Sequence, residues 1–154
     1  MHKLKKFNYK FDKGPLLLNQ LEQEDFNEGN CRLAVQYYLY KIHNLYLKPD
    51  LILNPKAYKK VGKFIVKEKE FDISSLKKLQ EGDIIYADRI RDKKDIKISK
   101  KDWIIRLHSA IYLGNNKIFH STIVDRKSSY WSFNKFLKYY QPITAKRVLE
   151  KNSF

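Results

Sequence analysis

Cys31 is the chain's only cysteine, and His108 and His120, two of its four histidines, flank a Gly-Asn-Asn turn signal. A thiol, an imidazole to take its proton and a second polar side chain to fix that imidazole's tautomer are the parts of a Cys-His hydrolase. Asn30 is a good N-cap, which sets Cys31 in the first turn of a helix, beside unpaired N–H groups and the positive end of the dipole, where a thiolate is favoured. The bland reading makes Cys31 a small buried hydrophobe and the histidines core or edge residues. Zinc is a third use for Cys31, His108 and His120, but they lack the close-spaced ligand pairs of zinc sites, so neither a metal nor a cofactor is expected.

The two histidines come together if the turn has the right length. With Gly114, Asn115 and Asn116 as a three-residue loop, Leu113 pairs with Lys117 and His120 falls opposite Ala110, with His108 as its diagonal neighbour. Opposite and diagonal partners share a face, so both imidazoles project to the same side. A two-residue loop would shift the register by one and send them to opposite faces.

The elements that must hold these residues follow from the pattern. Apolar positions Cys31, Val35, Tyr38, Ile42 and Leu45 have helical spacing, and Pro49 stops the run. Gly82-Asp83 leads into a short buried strand, Ile84 to Ala87, and the charged stretch Arg89 to Lys101 reads as an exposed excursion. Trp103 to Leu113 and Lys117 to Val124 form the hairpin. Ser132 caps a short helix with apolar Phe133, Phe136, Leu137 and Tyr140, Pro142 ends it, and Ile143 to Leu149 is a last strand. Residues 1–28 read as an N-terminal arm with a short helix over Pro15 to Asp25, and residues 50–80 as a connecting segment with one short helix near Pro55 to Gly62. A helix followed by antiparallel strands gives an α+β class, with one domain over residues 29–150 and a tail at 151–154.

Composition narrows the function classes. The 154 residues are enough for one domain with a sizeable core, and 43% hydrophobic content excludes a disordered chain. The net charge of +15 is nearly all lysine, dispersed in small clusters, with little arginine. That dispersal argues against nucleic acid, which is usually met with arginine forks and stacking aromatics, while anionic polymers would feel the same field. One cysteine forms no internal disulfide, and no segment is apolar enough for a signal peptide or a membrane span, so a cytoplasmic location is expected unless a dedicated route releases the protein.

Three blocks together resemble the NlpC/P60 family of papain-like cysteine peptidases and amidases. Asn30-Cys31-Arg32-Leu33-Ala34-Val35-Gln36 resembles its nucleophile helix, Leu79-Gln80-Glu81-Gly82-Asp83-Ile84 its Gly-Asp strand, and His108-Ser109-Ala110-Ile111-Tyr112-Leu113-Gly114 its histidine strand, with His120 at the end of the hairpin. Arg147-Val148-Leu149 falls where members carry a closing strand. The resemblance implies a papain-like fold with a nucleophile helix packed on a small antiparallel sheet. It also implies that Cys31 attacks an acyl carbonyl, His108 shuttles the proton and His120 orients His108. Asn30, Arg32 and Ser109 flank these residues and are expected to line the substrate pocket. Asn30, Arg32 and Leu33 stand where cell-wall enzymes of the family usually have Asp, Ser and Gly, so peptidoglycan is only one candidate among peptide and other acyl substrates. The rival reading is a non-catalytic module that keeps this fold and docks an anionic polymer or a protein. Nothing in the sequence sets the oligomeric state.

Overall fold

The computed structural model describes residues 30–45, 62–90, 107–122, 124 and 127–149. The expected arm at 1–28, the helices near Pro15 and Pro55, the stop at Pro49, the excursion beyond Ile90, the start of the hairpin at Trp103 and the tail lie outside the described residues. The elements in chain order are α1 (Asn30–His43), β1 (Lys63–Val66), a 3-10 turn (Ile73–Lys78), β2 (Ile84–Arg89), β3 (His108–Gly114), β4 (Lys117–Thr122), β5 (Lys127–Ser132), α2 (Phe133–Tyr139) and β6 (Tyr140–Arg147). The strands form one sheet, ordered β1-β6-β2-β3-β4-β5, in which every neighbouring pair is antiparallel. The expected mixture of a helix and a small antiparallel sheet is what forms.

Helix α1 starts where expected, but Asn30 is its first helical residue and not a cap outside it. It ends well before Pro49: Asn44 turns into the left-handed region at φ 54 and its N–H closes on the carbonyl of Tyr40, a helix stop that asparagine tolerates. Burial extends beyond the single expected stripe. Ala34, Val35, Tyr37 and Leu39 are fully enclosed, whereas Ile42, expected in the core, is 50% exposed.

The sheet separates two apolar layers. On one face α1 packs over β3 and β4, with Cys31, Val35, Tyr38, Ile84, Tyr86, Leu107, Ile111 and Phe119 in one cluster. On the other face α2 covers a cluster that includes Ile85, Ala87, Ala110, Tyr112, Ile118, Trp131, Phe136 and Tyr140. The alternation along β3, with Leu107 and Ile111 to one side and Ala110 and Tyr112 to the other, is the period-two pattern of a strand buried on both faces. Each large apolar side chain so enclosed contributes roughly 1.5–3 kcal/mol.

Two polar clamps fix the ends. Arg147 grips Asp83 with both prongs, Nε to Oδ1 and Nη2 to Oδ2, each at 2.8 Å, and Asp83 Oδ2 also accepts the N–H of Gln80 at 2.8 Å. At the C-terminal end of α1, Glu81 Oε2 accepts from Tyr38 at 2.5 Å and lies 2.7 Å from His43 Nε2. His43, unremarkable in the sequence, thus helps tie the helix to the turn before β2.

Candidate active site

The hairpin that carries the histidines differs from expectation in its turn and agrees with it in its register. The turn has two residues: Gly114 pairs with Lys117, and Asn115 and Asn116 both adopt positive φ, 51 and 58. Such mirror-image turns suit the twist of a hairpin and favour asparagine. Taken alone, that turn would send the histidines to opposite faces. A bulge between Tyr112 and Gly114 absorbs one residue, so Tyr112 pairs with Ile118 and Ile111 with Phe119. Continued along the strands, this is the register that sets His120 across from Ala110.

Both imidazoles accordingly lie on the α2 face, and His108 Nε2 is 2.7 Å from His120 Nδ1. Aromatic rings enclose them. Tyr140 stacks on His108 with centroids 4.2 Å apart, Trp131 meets His120 edge-on at 4.4 Å, and Phe136 lies 5.6 Å from His120. The Tyr140 hydroxyl is in turn hydrogen-bonded to Thr122 Oγ1 at 2.5 Å. Sequence reading did not assign Tyr140, Trp131 or Phe136 to the site. Their only signal was membership of an aromatic run on the far side of the hairpin.

This enclosure governs protonation. Burial pushes His108 down to about 3. Burial, followed by the charges of His108 and Lys135, holds His120 well below its ordinary value. Both rings are neutral near pH 7, so one proton occupies their shared hydrogen bond and the outer nitrogens, His108 Nδ1 and His120 Nε2, carry the remaining lone pair and proton.

Cys31 belongs to the α1 layer and is 8% exposed. Among the described residues no hydrogen bond joins its thiol to either imidazole. The C-terminal end of α1 is tied through Glu81 and the adjoining Gly82 to Tyr112, whose carbonyl accepts the Gly82 N–H at 2.8 Å. Tyr38 packs against Phe119, the partner of Ile111, with ring centroids 6.1 Å apart. Cys31 shares its cluster with Leu107, the residue before β3, whereas His108 and His120 face the α2 layer on the other side of the sheet.

The flanking residues differ in position. Arg32 is half-buried, and its Nε has no hydrogen-bond partner. Ser109 is fully buried with an unpartnered Oγ, on the alternate face to His108. Asn30 lies in the first turn of α1, and its side chain is outside the described residues. Among the described residues no three His, Cys, Asp or Glu side chains gather in a way that could hold a metal ion. No described helix is long and apolar enough to cross a membrane.

No family model matches the chain, and no curated protein matches it. Among solved structures it is similar to a crystal structure of an NlpC/P60 family protein from Bacillus cereus ATCC 10987, with a TM-score of 0.46 and 20% identity. The match covers 79% of this chain and 32% of that one, so the chain spans about a third of that structure's length.

Proposed function

We propose that the protein is a cysteine hydrolase that cleaves an amide or related acyl bond, with Cys31 as nucleophile, His108 as general base and His120 orienting His108. The observation that carries this reading is the 2.7 Å contact between His108 Nε2 and His120 Nδ1, in a protein whose one cysteine lies in the first turn of α1. In that arrangement His108 donates its Nε2 proton to His120 and keeps the Nδ1 lone pair for the thiol. The neutral pair offers the Nδ1 lone pair of His108 to the thiol proton, the imidazolium formed next to the thiolate gives that proton to the leaving group as the tetrahedral intermediate collapses, and water then hydrolyses the acyl-enzyme. Cys31 and the two imidazoles belong to the layers on opposite faces of the sheet, so this role requires the thiol and His108 Nδ1 to meet around the end of β3 when substrate is bound. The backbone N–H of Cys31, in the first turn of α1, is the natural donor to the oxyanion.

One observation favours the rival, a non-catalytic module of the same fold: the thiol is buried in the apolar cluster. Iodoacetamide alkylation separates the two. A catalytic Cys31 is labelled in the folded protein well below the unperturbed thiol pKa of about 8.5, and His108→Ala abolishes that labelling. A thiol that reacts only after unfolding would overturn the hydrolase reading and leave the binding module.

A further inference from the structure

The relay between the two imidazoles has an open end. If His108 Nδ1 is to accept the thiol proton, His108 carries its own proton on Nε2 and His120 must receive it at Nδ1. A neutral His120 then holds its proton on Nε2. That atom is buried and has no hydrogen-bond partner. A buried imidazole N–H without an acceptor costs about 1–3 kcal/mol, and the opposite tautomer would relieve the cost by moving the proton to Nδ1 of His120 and so to Nδ1 of His108, where it disables the base.

An acceptor stands across the sheet. Ser129 on β5 pairs directly with His120 on β4, which gives the two side chains the same face. Trp131, two residues further along β5, meets the His120 ring on that face and confirms the direction. Ser129 is 9% exposed, and its Oγ is likewise buried and unpartnered. Two orphaned polar atoms of complementary kind on directly opposed residues of one ladder form a natural pair, joined by a rotation of the serine side chain or by one bridging water.

We infer that Ser129 is a positioning residue: its hydroxyl accepts the Nε2 proton of His120 and thereby locks both imidazoles in the tautomer that leaves His108 Nδ1 free. The assignment rests on the proposed role of His108 and extends the chain to Cys31, His108, His120 and Ser129. No bond beyond these hydrogen bonds is made or broken. Ser129 reaches neither thiol nor substrate and acts only through His120.

Threonine and valine at this position test the hydroxyl at constant shape, and both are at home in a strand. Long-range 15N–1H spectra of the full chain report which ring nitrogen of each histidine carries the proton. Resonances are assigned by substituting His2 and His43. The native protein and Ser129→Thr are expected to show His108 and His120 both protonated at Nε2, whereas Ser129→Val shifts protons to Nδ1 of both rings. Alkylation of Cys31 by iodoacetamide at pH 6 slows about three- to tenfold in Ser129→Val, the worth of one hydrogen bond, and is restored in Ser129→Thr. An Nδ1 proton on His120 in the native protein would overturn the assignment. So would an unchanged 15N pattern in Ser129→Val, which would leave the Nε2 proton facing the indole of Trp131. A tautomer shift in a protein whose Cys31 is inert would uphold Ser129 and remove the hydrolase, and a reactive Cys31 with an unmoved tautomer would do the reverse.

Discussion

His108 Nε2 and His120 Nδ1 lie 2.7 Å apart because a bulge in β3 corrects the register that a two-residue turn would otherwise have set. Leu113 is the extra residue between Tyr112 and Gly114, so deleting it removes the bulge and leaves Tyr112 opposite Ile118 and Ile111 opposite Phe119. The imidazoles should stay on one face, and low-pH alkylation of Cys31 should be retained in a protein that still shows β-sheet circular dichroism. Loss of that reactivity would show that the bulge does more than set the register.

His120 is wholly buried, so its size and its acceptor can be tested separately. His120→Ala should cost about 2–4 kcal/mol through the cavity it leaves, in addition to about tenfold or more in Cys31 alkylation at pH 6. His120→Asn keeps an acceptor for the His108 proton and should retain most of the reactivity. Equal loss in both variants would show that His120 only fills space.

Acid should destabilise the fold through this pair. In the unfolded chain both imidazoles protonate near pH 6.5, whereas burial in the fold pushes His108 down to about 3 and His120 in the same direction. Between those limits the unfolded state binds more protons, so stability falls as pH falls, by up to about 1.4 kcal/mol per pH unit for each ring. Above pH 6.5 the pair contributes no slope. Urea midpoints should fall steadily from pH 6.5 to 4, less steeply in His120→Asn, and a midpoint flat across that range would contradict the enclosure.

The clamp between Arg147 and Asp83 is worth most when half of it is removed. Asp83→Ala strands the Arg147 guanidinium, half-buried against the carbonyl of Lys78, and leaves the Gln80 N–H without its acceptor. A loss of about 3 kcal/mol is expected in chemical denaturation.

Two glycines with similar dihedrals should respond differently. Gly82 has φ +95 and a Cβ there would stand 2.4 Å from Leu149 Cδ1, while Gly114 has φ +86 with nothing within 4 Å. Gly114→Ala should cost about 1 kcal/mol for the backbone conformation alone. Gly82→Ala should cost more, since Leu149 must also move, and the difference in urea midpoint isolates that contact.

What could be read from the sequence depended on how local its cause was. The helix from Asn30, the Gly-Asp turn, the hairpin and the Ser132 cap are set by neighbours within a few residues, and all four form. Strands β1 and β5 escaped notice because each is an edge strand whose pattern has meaning only against a distant partner, Lys146 for Phe64 and His120 for Ser129. Pro142 looked like a terminator, yet it sits inside β6, opposite Ala87 beside a register shift where a missing N–H is tolerated. The histidine pairing was reached with an incorrect turn, since the residue lost from the loop reappears as the bulge. The aromatic enclosure was illegible, because Tyr140 reaches His108 only through the β2–β6 and β2–β3 ladders.

The edge-on contact of Trp131 with His120, at 4.4 Å, also makes the site visible to light. An excited indole loses emission to an adjacent imidazolium far more readily than to a neutral imidazole. The chain has only two tryptophans, and with Trp103 replaced by phenylalanine the remaining fluorophore watches a single ring. Its brightness then records, without added dye or substrate, when a proton arrives at His120.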